Sequence, residues 1–181
     1  GALRRMLVEG LANTDARVAN DEPVSPAFLF ALLLWPAYCR AQATLLKQGV
    51  APEEAQRRAA DRVTVQQLST IALPRRFSLP MQEIWLLQSR FGSRQRKRVF
   101  RTLTHPRFRA AFDFLSLRQV ASAEHAADVE FWREAQAQSG RELESSLDAM
   151  HSEEGDDESG APRKRRRRRR RPGAPAGAAG E

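Results

Sequence analysis

Apolar residues recur at intervals of three and four positions along much of the first two thirds of the chain. Ile84, Leu87 and Phe91 show this spacing, which places their side chains on one face of a helix. Helix-favouring Ala, Leu, Arg, Gln and Glu dominate, and runs of strand-favouring Val, Ile, Tyr and Thr are rare. The pattern predicts an all-α fold, an irregular bundle of about six helices.

Proline, glycine and capping residues predict where the helices begin and end. The stretch from Leu3 to Leu11 is expected to be the end of a helix, followed by a connector from Asn13 to Pro26. Arg75 and Arg76 are expected in a loop. Further helices are predicted to begin at Ser25-Pro26, Pro52, Pro80, Ser93, Pro106 and Glu124, and the last of them to end at Gln138.

The longest apolar run, Ala27 to Cys39, is interrupted by Pro36. It falls short of the roughly 20 residues that a membrane-spanning helix needs, so we interpret it as a buried core helix of a soluble protein without a transmembrane segment. Cys39 is the only cysteine, which excludes a disulfide within a monomer and fits a reducing compartment. We interpret it as a small buried apolar residue.

The formal net charge of +8 is spread unevenly along the chain. Residues 73–118 carry eleven Arg or Lys against Glu83 and Asp113, a local balance of +9, whereas residues 119–160 carry two Arg against twelve acids, a balance of −10. Beyond Ser139 the composition cannot bury enough apolar surface to offset the entropy of ordering, so residues 139–181 are predicted to be a disordered tail, acidic and then basic. Charge blocks of this kind indicate a polyanionic partner.

The most basic part of the globular region is RQRKRVFRTLTHPRFRAAFDFL, from Arg94 to Leu115. On a helical wheel, Lys97, Arg98 and Arg101 lie within about 60° of Arg94, and the apolar residues lie on the opposite side. Like charges at these spacings repel, and no acid between Arg94 and Arg109 relieves them.

Two interpretations of this face are open: an ordinary solvated surface, or a surface that binds phosphates. The charge of the whole block favours the second. The candidate RNA-binding residues are Arg75, Arg76, Arg94, Lys97, Arg98, Arg101, Arg107 and Arg109. The neighbouring phenylalanines have core spacing, so base stacking is not predicted, and weakly sequence-selective phosphate contacts are expected.

A second basic element lies near the end of the chain. Its members are Arg163, Lys164, Arg165, Arg166, Arg167, Arg168, Arg169, Arg170 and Arg171. We interpret the run as an electrostatic tether for RNA, with a ribosomal or membrane-surface anchor and solubilising charge as alternatives. The acidic stretch from Glu153 to Glu158 is a candidate competitor that pairs with the run.

Catalytic and metal-binding residues are not predicted anywhere in the chain. His105, His125 and His151 are scattered, with no Cys or carboxylate at ligand spacing, and His105 is expected to make a capping or turn hydrogen bond. No phosphate-binding loop, dinucleotide fingerprint or nucleophile elbow is present.

Four stretches carry a resemblance to a known family: NTDARV, VSPAFLFALLLWP, LPRRFSLPMQEIWLLQSRF and RQRKRVFRTLTHPRFRAAFDFLSLR. With these, the chain from about Asn13 to Arg118 resembles the C-terminal part of bacterial poly(A) polymerases. That class of nucleotidyltransferases also contains the tRNA CCA-adding enzymes. HPRFRAAFDFL is the most specific phrase, and the acidic stretch followed by an Arg-rich tail fits poly(A) polymerases better than CCA-adding enzymes.

The resemblance implies a function. Such enzymes transfer AMP from ATP to RNA 3′ ends, with Mg²⁺ held by carboxylates in an N-terminal head, and the added tails promote RNA decay. The implied partners are RNA and RNA-decay proteins, and the implied location is the bacterial cytoplasm. By this resemblance, residues 1–24 are the end of a neck helix and a connector, residues 25–138 a helical RNA-binding body, and residues 139–181 the tail.

The motifs that the head and neck would supply are missing. The chain has no Gly-Gly and no Asp-x-Asp, and its only adjacent aspartates, Asp156 and Asp157, lie in the acidic stretch. Two-metal phosphoryl transfer needs carboxylates on rigid elements, so no ATP or Mg²⁺ site is predicted within this chain, and it is expected to be inactive alone. Together with Gly1 in place of Met, this indicates a C-terminal piece of an enzyme. The alternatives are the same region of a CCA-adding enzyme and a standalone basic helical protein that tethers RNA without catalysis.

Overall fold

A computed structural model describes residues 1–68, 73–138 and 140–156. These residues form eight α-helices: α1 (Ala2–Ala19), α2 (Pro26–Lys47), α3 (Pro52–Leu68), α4 (Arg75–Leu87), α5 (Arg96–Leu103), α6 (Phe108–Ala121), α7 (Ala126–Ala137) and α8 (Gly140–Asp156). Short 3₁₀ turns follow α4 and precede α7. The described part of the chain contains no strand, so the all-α prediction is confirmed, with eight helices rather than about six.

The first hydrophobic cluster joins α1, α2, α3, α4 and α6. Tyr38 stacks between Trp35 and Trp85, with ring centroids 5.1 Å and 4.9 Å apart, and Phe114 meets Trp35 edge to face at 5.1 Å. The indole Nε1 of Trp85 donates to the Ala31 carbonyl at 3.0 Å, so its polar atom is satisfied in the interior. Trp35 and Trp85 are thus both core residues.

Helix α2 supplies the centre of this cluster. By length and composition it is the one helix in the described ranges that is apolar enough to cross a membrane, with 22 residues and a mean hydropathy of 1.3. The central helix of a globular core meets the same criterion. Ser25 accepts a hydrogen bond from the Phe28 amide and Pro26 occupies the first position, which confirms the predicted helix start. The helix continues through Pro36 without a break in its assignment.

Helix α1 is longer than the sequence predicted. The expected connector from Asn13 is wrong as far as Ala19, because α1 continues through these polar residues, where the hydroxyl of Thr14 donates to the carbonyl of Gly10. A Cβ at Gly10 would lie 2.4 Å from a Leu32 methyl, so the missing side chain permits the close approach of α1 to α2. Asp21, with φ of 55°, turns the chain after the helix.

Helix α4 begins five residues before the predicted start at Pro80. The expectation that Arg75 and Arg76 lie in a loop is therefore wrong, because both lie in the first turn of α4, after Pro74. Phe77 and Met81 pack against the first cluster and hold this segment in helical form. Tertiary packing thus tolerates Pro80 inside the helix, although proline has no N–H to donate to the preceding turn.

The second hydrophobic cluster joins the end of α4 to α5, α6, α7 and α8. Trp132 lies at its centre, edge to face with Phe91 at 5.3 Å, and its Nε1 donates to the Phe91 carbonyl at 2.7 Å. Val129 and Trp132 of α7 both face inward. Leu143 and Leu147 of α8 are also buried here, so the prediction of disorder from residue 139 is wrong for 140–156.

Helix α6 separates the two clusters and contributes to both. Phe114 and Leu117 belong to the first cluster, and Phe108, Phe112 and Leu115 to the second. The buried amide of Gln88 joins the two halves: its Nε2 donates to the Ala111 carbonyl at 3.0 Å. Because α6 packs into both clusters, its position is fixed along its whole length. The short α5 before it is fixed by Val99, which is buried in the second cluster.

Candidate nucleic-acid interface

Helix α5 presents three cations on one exposed face. Lys97, Arg98 and Arg101 are all exposed, while Val99 and Thr102 on the opposite side are buried. None of the three makes an ion pair with another described residue. The repulsion that the sequence indicated is therefore present, and phosphate groups would relieve it.

Arg94 does not belong to this face. The basic helix begins at Arg96 rather than at the predicted Ser93, so Arg94 lies in the preceding loop. Its guanidinium donates to Asp128 and to the Phe91 carbonyl, each at 2.7 Å, and lies 4.0 Å from the centroid of the Phe131 ring. Only 26% of the side chain is exposed. The predicted grouping of Arg94 with the helical cations is thus wrong, because tertiary contacts direct it toward α7.

Arg107 and Arg109 are exposed but have acidic neighbours. Arg107 pairs with Glu83 at 3.2 Å, and Arg109 pairs with Asp113 at 3.3 Å. Burial raises the pKa of Asp113, and the nearby Arg109 opposes that rise. Exposed ion pairs of this kind break at little cost in free energy, so both arginines can still contact a polyanion. The acidic neighbours reduce the net positive charge around them.

The remaining predicted cations of the globular part lie on α4. Arg75 and Arg76 are exposed in its first turn, and Arg76 lies over the Phe77 ring at 4.8 Å. Neither makes an ion pair with another residue in the described ranges. The predicted tether, Arg163 to Arg171, lies outside the described residues. Of the acidic stretch before it, residues 153–156 form the end of α8, and the remaining two lie outside the described residues.

Sequence reasoning missed the contacts of two further arginines, Arg96 and Arg118, but predicted that of His105. Arg96 is exposed and pairs with Glu144 of α8 at 2.5 Å, which joins the basic helix to the acidic one. Arg118, counted in the basic block, instead lies 5.2 Å from the Trp35 ring centroid and donates to Gln88, and burial lowers its pKa. His105 accepts from the Arg107 amide at 3.1 Å, which confirms its predicted turn hydrogen bond.

Comparison with known proteins identifies the family. The family model described as polymerase A arginine-rich C-terminus matches residues 48–172, more than half of the chain. This chain belongs to that family. The resemblance drawn from HPRFRAAFDFL and the other three stretches is confirmed.

Three relatives show how much of a longer protein this chain represents. It is 36% identical over 168 residues to poly(A) polymerase I of Salmonella typhi. The aligned region covers 90% of this chain and 34% of the relative. It is 36% identical to the Escherichia coli O6:H1 protein of the same name over 83% of this chain and 33% of the relative, and 34% identical to the Haemophilus influenzae protein over 77% and 31%. The chain thus spans about a third of the length of the curated relatives it matches.

Proposed function

We propose that this polymerase A arginine-rich C-terminal chain is the RNA-binding part of a bacterial poly(A) polymerase that adds AMP from ATP to RNA 3′ ends in the cytoplasm. The observation that carries the proposal is the unpaired cationic face of α5, formed by Lys97, Arg98 and Arg101. Cations held at fixed positions without acidic partners bind phosphates by releasing counterions. The names of the relatives support a poly(A) polymerase over a CCA-adding enzyme.

The rigid support of this face favours binding over simple solvation. Val99 is fully buried in the second cluster, and the Thr102 hydroxyl donates to the Arg98 carbonyl at 2.8 Å. These contacts fix the backbone from which the three cations project. Arg75 and Arg76 on α4 and Arg107 and Arg109 around the start of α6 are proposed as further phosphate contacts, and the tail run is proposed as a separate tether.

A triple variant in which Lys97, Arg98 and Arg101 are each changed to Gln is expected to bind RNA more weakly. Because each phosphate contact on a single strand contributes about 0.7 to the slope of log K against log salt, loss of three contacts should flatten that slope by about two units. The measurement is fluorescence anisotropy of a labelled single-stranded RNA with the full chain at several salt concentrations. The Arg-rich run is present in both proteins and its contribution cancels.

A matched control removes the same charge elsewhere. Arg40, Lys47 and Arg62 are exposed on α2 and α3 and make no ion pair among the described residues. Their replacement with Gln should leave the slope nearly unchanged. If both triple variants alter the slope equally, net charge rather than the α5 face determines binding, and the interface is not where we place it.

A further inference from the structure

A cavity opens against α5 on the side of Phe100 and Leu103. It has a volume of about 430 Å³ and lies between α5, the start of α6 and the junction of α7 with α8. Phe100, Leu103, Phe108 and Leu143 provide apolar and aromatic walls. Volumes of this size are typical of small-molecule pockets in proteins.

Phe100 distinguishes this cavity from the ordinary core. Of the four phenylalanines in the basic stretch, Phe108, Phe112 and Phe114 are buried, as the sequence predicted. Phe100 is only half-buried and lines the cavity together with Phe108. Aromatic carbon is therefore accessible at the one phenylalanine that is adjacent in sequence to Arg101.

Two glutamines, Gln136 and Gln138, line the cavity. The side-chain oxygen of Gln138 is buried and has no hydrogen-bond partner among the described residues. A half-turn of the amide exchanges its oxygen and nitrogen without a change in volume, so Gln138 can offer an acceptor or donors to the cavity. Gln136 lines the same space, and its Nε2 donates to the Trp132 carbonyl at 2.8 Å, which fixes its side chain.

The charge beside the cavity indicates what kind of molecule it receives. Lys97 lies three residues before Phe100 and Arg101 one residue after it, and both are exposed. On α5 this places cations about 60° to 100° around the helix from the aromatic ring. An aromatic wall, an amide and flanking cations together match the base, the base edge and the phosphates of an unpaired nucleotide.

We propose that this cavity receives one unstacked nucleobase of an RNA strand whose adjacent phosphates lie on Lys97 and Arg101. The inference rests on the proposed RNA-binding function and adds a base-contacting site to it. The base packs against Phe100 and Phe108, and its edge exchanges hydrogen bonds with Gln138. RNA is then held through a base as well as through its backbone, which the sequence pattern alone did not predict.

The test compares RNA with and without bases. The full chain is titrated with a labelled oligoadenylate of about 12 nucleotides and with an abasic ribose-phosphate strand of the same length. The two probes carry the same phosphates, so contacts from the cations of α5 and from the tail contribute equally to both. We expect the base-bearing strand to bind about tenfold more tightly, because stacking of a base on an aromatic side chain contributes at that level.

Filling the cavity should abolish that difference. A Cβ at Gly140 meets no atom within 4 Å, so Gly140→Leu can place its side chain into open space without displacing a neighbour. This variant should bind both strands with the affinity that the unaltered chain shows for the abasic strand, and with an unchanged salt slope. Ser145→Leu, at an exposed position on the opposite side of α8, is the matched control and should preserve the difference.

A second variant, Gln138→Leu, keeps the test decisive if Gly140→Leu is poorly folded. It removes the polar edge contact and should reduce the difference between the strands severalfold while retaining the apolar wall. Equal affinities for both strands, or a difference that survives both variants, would overturn the nucleobase site while salt-dependent binding still supports the proposed function. Absence of salt-dependent binding to either strand would instead overturn the proposed function itself.

Discussion

At the scale of single residues, identical side chains in the basic stretch have different roles. Arg94 and Arg98 are four positions apart and both were candidates for RNA contact. Arg94 lies over Phe131 and pairs with Asp128, while Arg98 is exposed and has no ionic partner among the described residues. The difference follows from the start of α5 at Arg96, which leaves Arg94 free to turn toward α7.

Arg94→Gln is therefore expected to lower stability and leave RNA binding unchanged. Loss of a partly buried ion pair, a hydrogen bond to the Phe91 carbonyl and a cation–π contact should reduce the free energy of unfolding by about 1–2 kcal/mol. Urea denaturation measures this change. The salt slope of RNA binding should match that of the unaltered chain.

Arg98→Gln is the matched comparison and should behave in the opposite way. Its stability should stay within about 0.5 kcal/mol of the original, and its salt slope should fall by about 0.7. The contrary result would be that Arg94→Gln flattens the salt slope of RNA binding and leaves the urea midpoint unchanged. That result would mean that Arg94 contacts phosphate with the helical cations, as the helical wheel predicted, and does not pair with Asp128.

At the scale of elements, α8 changes the picture of the C-terminal region. Its polar composition predicted disorder, yet Leu143 and Leu147, four residues apart, lie on one face and enter the second cluster. Two buried leucines and the Arg96–Glu144 ion pair attach this acidic helix to the basic one. The acidic block is therefore partly a structural element and lies close to the cations.

Leu147→Ala tests whether α8 is part of the folded unit. Leu147 is 0% exposed, so truncation should leave a cavity and cost about 2–4 kcal/mol of unfolding free energy. Met150 on the same helix is 42% exposed, and Met150→Ala should change stability by less than about 0.5 kcal/mol. Thermal unfolding of the two variants gives the comparison. Equal, small effects would mean that α8 does not pack on the second cluster and that the predicted disorder describes it correctly.

At the scale of the whole molecule, the described residues present a cationic surface, for which we propose RNA binding. No group of three or more His, Cys, Asp or Glu residues in the described ranges could hold a metal ion. The two hydrophobic clusters hold different helices. The first joins α1 to α4 with part of α6, and the second contains Val99, which anchors α5 and its cationic face.

We predict that the chain by itself does not extend RNA. Incubation with ATP, Mg²⁺ and a labelled oligoadenylate should give no added nucleotides on a denaturing gel, because the Gly-Gly and Asp-x-Asp motifs of the catalytic head are not in the sequence. Binding of the same oligonucleotide, measured by anisotropy in the same buffer, excludes a simple failure to contact RNA. A ladder of extended products would contradict this account and require a catalytic site elsewhere in the chain.

Much of the fold was available from local sequence. The starts of α2 and α3 and the all-α class follow from proline placement, capping and three- to four-residue spacing. These are properties of short segments, so they do not depend on distant contacts. The family resemblance likewise follows from contiguous stretches such as HPRFRAAFDFL.

Tertiary structure decided which side chains are available. Sequence by itself determined that the basic block exists, but not that Arg94 and Arg118 turn inward while Lys97, Arg98 and Arg101 stay exposed. It determined that the phenylalanines have helical spacing, but not that Phe100 lines a cavity beside Gln138. Partners such as Asp128 and Glu144 lie more than thirty residues away along the chain, so only packing of α7 and α8 against α5 and its preceding loop could bring them to the cations.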